Sequence, residues 1–268
     1  MTQRALAIAR YWWSYRFFVR SAIRNDLRAR YARSKLGLLW ALVQPLAMVL
    51  IYTLILSHLM SAKLPETDTV YAYPIYLMSG MLAWTLFSEA VGRGLGIFVE
   101  QGELIKKVAF PRALLPIIAL GSATVNGLAL LSMMLMVFLF LGHWPDLHYL
   151  WMPGLMFLAL WLGLSIGLLF GLMNVFFRDI SQAIPVILQF LFWLTPIVYA
   201  LSMLPPEYHS YFSWNPIAKL TAAFQDVILY RRNPTELHLV YLSGIAFIFT
   251  ALSAGLYLRV KHELADHL

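Results

Sequence analysis

Arg16, Arg20, Arg24 and Arg28 recur every fourth residue, a spacing that aligns four guanidinium groups along one ridge of a helix. Guanidinium presents a rigid fork of donors to phosphate and carboxylate, so the ridge suits an anionic partner such as a lipid headgroup or a pyrophosphate. Trp12, Val19, Ile23 and Leu27 form an apolar companion face, and the two faces together describe an amphipathic helix lying in a membrane interface. A plain topology signal accounts for the same residues, but orientation needs only a few positive charges, and the surplus points to an anion.

Other constellations are sparser. Glu89 and Arg93 stand four apart and read as a local ion pair on one helical face; the chain offers no proton or sodium relay of the kind that marks ion-coupled carriers. His143 and His148 lack carboxylate or histidine partners at metal spacing and read as loop residues. Gly163, Gly167 and Gly171 repeat every fourth residue and form a small-residue stripe for close helix packing. The stretch VEQGELIKKVAFPR, Val99 to Arg112, mixes apolar and charged residues in a way that suits a solvated loop or a docking helix for a partner. No phosphate-binding loop or HExxH motif is present, so any ATP must be bound by another chain. The absence of cysteine removes disulfides, thiolate metal sites and cysteine catalysis.

The elements that must hold these residues are membrane spans. Of 268 residues, 61% are hydrophobic and 12% charged, against about 45–50% and 25% in soluble domains. Continuous apolar blocks without strand alternation indicate helices, whose backbone hydrogen bonds close internally. The expected fold is an all-α polytopic membrane protein with six transmembrane helices: Gly37 to Met60, Tyr73 to Ala90, Ala113 to Leu141, Tyr149 to Phe177, Ala183 to Leu204, and Leu239 to Leu258. Pro185 and Pro196 interrupt the fifth. Only Lys63, Lys219, Arg231 and Arg232 of the 20 Lys and Arg fall on one side of this arrangement, which orients both termini to the cytoplasm. No short apolar core with a cleavage site precedes the first span, so that span is expected to be retained. Residues 1–36 then form a cytoplasmic N-terminus with the amphipathic helix, 37–258 the six-span domain, and 259–268 a cytoplasmic tail. Between spans five and six, residues 205–236 carry helical apolar spacing broken by Pro and Asn-Pro, which fits two short helices at or dipping into the outer surface.

Four stretches carry a family resemblance: RARYARSKLGLLWALVQP (Arg28 to Pro45), LIKKVAFPRALLP (Leu104 to Pro116), VFFRDISQAIPVILQFLFWLTPIVY (Val175 to Tyr199) and LPPEYHSYFSWNPIAKL (Leu204 to Leu220). In this order on a six-span chain, they resemble the membrane subunits of ABC-2-type transporters that export bacterial polysaccharides: lipopolysaccharide O antigens, capsules and teichoic acids. The third stretch is most similar to the O-antigen branch.

The resemblance implies a permease subunit in the bacterial inner membrane that forms a homodimer and binds two copies of a separate ABC ATPase. ATP and Mg would sit on that partner, with no cofactor or metal on this chain, no catalysis by it, and no nucleic-acid partner. It further implies that Arg10 to Lys35 is an interface helix and that residues 100–110 hold a coupling helix, with Glu103, Leu104, Lys106, Lys107 and Phe110 meeting the ATPase. Spans one and five would line the path of a lipid-linked polysaccharide, with Trp40, Tyr52, Phe192, Trp193 and Tyr199 as candidates for contacting sugar rings, which pack well on aromatic faces; aromatic residues at span ends also form the ordinary interfacial belt. Residues 205–236 would supply short periplasmic gate helices. Arg24, Arg28, Arg30, Arg33 and Lys35 are candidates for the carrier's pyrophosphate or for lipid headgroups. A permease for drugs or small lipids, and a membrane-embedded glycosyl- or acyltransferase, are the competing readings; the second expects acids or histidines clustered at one membrane face, which are scarce here.

Overall fold

The computed structural model describes residues 15–31, 71–102 and 114–261, together with 43, 47, 111, 263 and 264. Among them the only regular structure is helical: α1 (Arg16–Tyr31), α2 (Ala72–Glu100), α3 (Leu114–Phe140), α4 (Met152–Phe176, entered by a 3-10 turn at Leu147–Trp151), α5 (Ile180–Trp193), α6 (Pro206–Trp214), α7 (Pro216–Ile228) and α8 (Glu236–Val260). Four helices are long and apolar enough to cross a membrane: α2, α3, α4 with its leading turn, and α8. The first expected span, 37–60, lies outside the described residues except for positions 43 and 47.

The centre of the bundle is the pair α2 and α4. Gly163, Gly167 and Gly171 lie along their contact, where a side-chain carbon at any of the three would fall on the carbonyl oxygens of Phe87, Val91 and Gly94 respectively. Reciprocally, a Cβ at Gly94 would sit 2.6 Å from the Gly167 carbonyl carbon. Lipid tails are as apolar as leucine, so helices in a bilayer associate through close packing more than through expulsion of water; the missing side chains provide that packing here. Around this pair, α3 packs on α2 and α4, and α8 packs on α4. Ser253 Oγ donates to the Ser165 carbonyl at 3.0 Å and Trp161 Nε1 to Thr250 Oγ1 at 3.0 Å, tying α8 on with polar contacts.

Two elements differ from the sequence expectation. The second span does not end at Ala90: α2 runs on to Glu100 because Val91, Leu95, Ile97 and Phe98 continue its buried face and because the charge of Arg93 is met by acids rather than water. The fifth span is not a helix from Ala183 to Leu204: α5 has 14 residues, about 21 Å at 1.5 Å per residue against roughly 30 Å of hydrocarbon. Pro196 has no N–H and disfavours helical geometry at Thr195, so the helix stops at Trp193, whereas α5 continues through Pro185 in its interior.

The carbonyls freed by that stop are supplied with donors from other helices. Tyr73 Oη donates to the Val198 carbonyl at 2.7 Å, and Tyr76 Oη lies 3.1 and 3.2 Å from the carbonyls of Pro196 and Tyr199. Gln225 Nε2 approaches Pro196 O at 3.5 Å. Asn215 serves both sides of the break: its Oδ1 caps α7 by accepting from the N–H groups of Ile217 and Ala218, and its Nδ2 points to Leu194 O and Thr195 Oγ1, both at 3.3 Å. Backbone without helical partners is tolerated at membrane depth only where protein satisfies it, and here tyrosines of α2 and polar residues of α7 do so.

α7 is largely buried. Ile217, Leu220, Thr221, Ala223, Phe224, Val227 and Ile228 are each 1% exposed or less, and the helix packs into the bundle against α2, α4 and α8. α6, by contrast, exposes Tyr208, Tyr211 and Trp214.

Candidate functional site

The arginine ridge exists as a face of α1. Arg16, Arg20, Arg24 and Arg28 are exposed, while Val19, Ile23 and Leu27 are partly covered. That apolar side lies along α3, with Ile23 seated over Gly121 where a β-carbon would otherwise stand. Arg30 belongs to the helix by its backbone. Arg33, Lys35, Trp40 and Tyr52 lie outside the described residues, as do Glu103, Leu104, Lys106, Lys107 and Phe110.

Beneath the ridge is a polar cluster that joins three helices. Arg93 on α2 is 7% exposed. Its Nε donates to Glu89 Oε1 at 2.9 Å, and its Nη1 to Asp26 Oδ2 of α1 at 2.7 Å. Glu89 Oε1 also accepts from Asn126 Nδ2 of α3 at 2.7 Å. Arg93 Nη2 reaches Glu89 Oε1 at 2.9 Å as an ion contact without hydrogen-bond alignment. The pair read as local from its spacing is thus the middle of a longer chain, Asp26–Arg93–Glu89–Asn126. Sequence reasoning missed Asp26 and Asn126; the one available signal was that Asp26 is the single acid inside an arginine-rich helix. Beside the cluster, a cavity of about 640 Å³ opens between α1, α2 and α3, bounded by Phe18, Ala22 and Asp26, by Arg93 and Ile97, and by Ile118 among others.

At the opposite end, the three aromatic candidates on the α5 segment separate. Phe192 turns inward and meets Trp84 of α2 edge-on at 5.4 Å. Trp193 is 53% exposed. Tyr199, past the break, donates to the Trp193 carbonyl at 3.0 Å and lies 6.3 Å from the Phe212 ring of α6. Only Ile184 of α5 is buried; the outward face carries Val186, Ile187 and Phe190 together with the polar Gln182 and Gln189. A helix with two exposed amides is poorly suited to face lipid along its whole outer side.

Among the described residues, no three His, Asp or Glu side chains gather into a metal-binding group. The arrangement offers a helix with an exposed row of arginines, an ion-pair chain leading from it into a helix long and apolar enough to cross a membrane, and a broken helix at the other end. A model of ABC-2 type transporters matches residues 18–229, from α1 to just past the end of α7. The chain belongs to the ABC-2 type transporter family.

The ABC-2 transporter relatives include an O-antigen export system permease protein of Klebsiella pneumoniae, 28% identical over 247 residues, covering 90% of this chain and 91% of the relative. A protein of the same description from Myxococcus xanthus is 26% identical over 263 residues, 97% and 99% of the two chains. A polysialic acid transport protein of Escherichia coli is 24% identical over 240 residues, 89% and 91% of the two. These relatives are described as export permeases and a transport protein. The family match begins within the arginine-rich helix and takes in the polar cluster and the α5–α7 region.

Proposed function

We propose that this chain is the membrane-spanning permease subunit of an ATP-driven exporter that carries a lipid-linked polysaccharide, of the O-antigen class, from cytoplasm to periplasm across the bacterial inner membrane. The observation that carries the reading is the near full-length similarity to O-antigen export permeases. In this reading two copies form the channel, two copies of a separate ATPase hydrolyse ATP, and residues 100–110 couple the two. In the same reading six spans and the Lys/Arg bias put both termini in the cytoplasm, the α1 surface faces the ATPase and the entering substrate, and residues 205–236 form the periplasmic gate.

The geometry gives each part a physical role. The exposed Arg24 and Arg28 of α1 would present donors to a pyrophosphate-linked headgroup at the cytoplasmic surface, and Arg30, Arg33 and Lys35, which follow them in the sequence before span one, would add to that charge. The outward face of α5, amide-bearing and aromatic, offers sugar rings both hydrogen bonds and stacking area. The chain catalyses no covalent step.

The test is reconstitution of the chain with its cognate ATPase in proteoliposomes holding lipid-linked O polysaccharide. ATP-dependent appearance of polymer on the far side, with stimulated ATP turnover, is the expected result. Turnover stimulated instead by capsular polymer would move the assignment to that branch, and a chain that assembles with no ATPase would overturn the reading.

A further inference from the structure

Arg93 is a buried cation that the proposed transport path does not use. One guanidinium holds two acids from different places: Glu89 one turn back on its own helix and Asp26 on α1. The two acids are unequal. The Arg93 side chain is 4% exposed, Glu89 18% and Asp26 30%, so Asp26 is the partner with ready access to water.

That inequality makes the contact releasable. Breaking a buried ion pair is costly when it strands an unpaired charge. If α1 moves and takes Asp26 away, Arg93 keeps Glu89, Glu89 keeps Asn126, and Asp26 passes into solvent. No charge is left alone in either arrangement. A discrete contact with two satisfied arrangements is the kind of element through which one helix biases another.

The surroundings favour motion of α1 relative to α2. α1 lies along α3, and Asp26 and Arg93 both line the cavity between α1 and the end of α2, so their contact borders open space rather than a fully packed seam. α2 continues without a break from Arg93 to Glu100, and Glu100 and Gln101 line the same cavity. A pull on Arg93 therefore acts on the last two turns of α2, immediately before residues 103–110.

We propose that Asp26 and Arg93 form a releasable latch through which displacement of α1 is transmitted to the end of α2. Both are then positioning residues for the ATP-coupled step rather than partners in a static brace. The proposal rests on the reading of the chain as an ATP-driven permease.

The native chain has no cysteine, so Ser21→Cys on the cavity wall reports on the latch by its rate of thiol labelling in the complex with the ATPase. The expected result is a change of about fivefold or more between nucleotide-free and ATP-bound complexes, the range of ordinary allosteric coupling. Asp26→Asn, which keeps the shape and leaves Arg93 paired with Glu89, is expected to abolish that dependence and to leave ATP turnover running while export falls. Asp26→Glu is expected to restore both. Arg93→Lys, which keeps the charge but loses the fork that spans two acids, is expected to behave like Asp26→Asn.

Labelling that responds to nucleotide equally in the native and Asp26→Asn backgrounds overturns the latch. So does a parallel loss of ATP turnover and export, or failure of both variants to assemble, since each assigns the pair a static role. A native complex that labels in a nucleotide-dependent, Asp26-dependent way but moves no polysaccharide supports the latch and overturns the cargo reading. Labelling that ignores nucleotide in the native complex overturns the latch whatever the cargo.

Discussion

The carbonyl oxygen of Val91 occupies the space that a side chain at Gly167 would need. α2 and α4 are in backbone contact there, and the same holds one turn to either side, at Gly163 and Gly171. Overpacking a well-filled core costs about 1–3 kcal/mol even where side chains can yield, and here the obstacle is backbone. Gly167→Leu is expected to lose at least about 3 kcal/mol and to reduce the yield of monodisperse protein in detergent. Gly255→Ala on α8, where a β-carbon meets nothing within 4 Å, is expected to be neutral or to stabilise by up to about 1 kcal/mol, the helix-propensity difference. Thermal unfolding of the two variants side by side measures the contrast.

The break in α5 is held by side chains that act at a distance. Tyr76→Phe removes the hydroxyl that serves the carbonyls of Pro196 and Tyr199 and leaves those buried groups short of a donor, at a cost of about 1–3 kcal/mol. Thermal stability is expected to fall by that amount. Proteolysis or hydrogen exchange is expected to localise the loosening to residues 194–200, and uniform loosening of the bundle would contradict the role assigned to the tyrosine.

Asn215 caps α7 and holds the end of α5 at once. Asn215→Ala is expected to cost more than the roughly 1 kcal/mol of an ordinary N-cap. Asn215→Asp, which retains the cap acceptor and loses the amide donor, is expected to recover only the capping part. Comparison of the two in a thermal-shift series separates the contributions.

His143, in the turn after α3, donates through Nε2 to the carbonyl of Ile228 at the end of α7, which requires the Nε2–H tautomer or the cation. Burial pushes its pKa below the ordinary histidine value and nearby Arg231 acts in the same direction, against the opposing pull of the carbonyl. The folded state thus binds this proton less readily than the unfolded chain. The contribution is fully present above the unfolded pKa of about 6.5 and is lost as pH falls through the lower folded value. Stability is expected to decline from pH 7 to pH 5, and His143→Gln, which keeps a donor but does not titrate, is expected to flatten that part of the profile.

The basic residues of and after α1 are expected to act on substrate capture rather than on folding, as the exposure of Arg24 and Arg28 suggests. A basic residue at an anionic surface contributes about 1 kcal/mol, so single changes of Arg24, Arg28, Arg30, Arg33 or Lys35 to Gln are expected to lower export several-fold at most. The combined variant is expected to lower it far more, with assembly unchanged. Export at the native rate from the combined variant removes the headgroup role.

Much of this could be read from the chain. Charge-free apolar stretches are long enough to cross a bilayer because each helical residue advances by a fixed rise, and α3, α4 and α8 follow those limits closely. The four-residue spacing of Gly163, Gly167 and Gly171 needs no knowledge of the partner, since small residues on one helical stripe permit close approach whatever packs there. Asn215-Pro216 marks a helix start by its own chemistry, an acceptor at the cap and a preset dihedral after it. Other features depended on neighbours. Pro196 showed that span five was disturbed, but whether the chain would kink or stop depended on Tyr76, 120 positions from Pro196 and 123 from Tyr199. The mixed composition of Pro216–Ile228 reads as a short helix at or dipping into the outer surface, and only its docking against α2 fixed how deeply it is buried.

The sequence by itself determined the helical class, most of the membrane segments, the charged helix ahead of them and the stripe on which two of them meet, because periodicity and hydrophobic length are local properties. Tertiary structure alone decided that Arg93 belongs to Asp26 as much as to Glu89. The two are 67 positions apart in the chain and 2.7 Å apart in space, and an ion pair depends on that second distance, which the packing of α1 along α3 brings about.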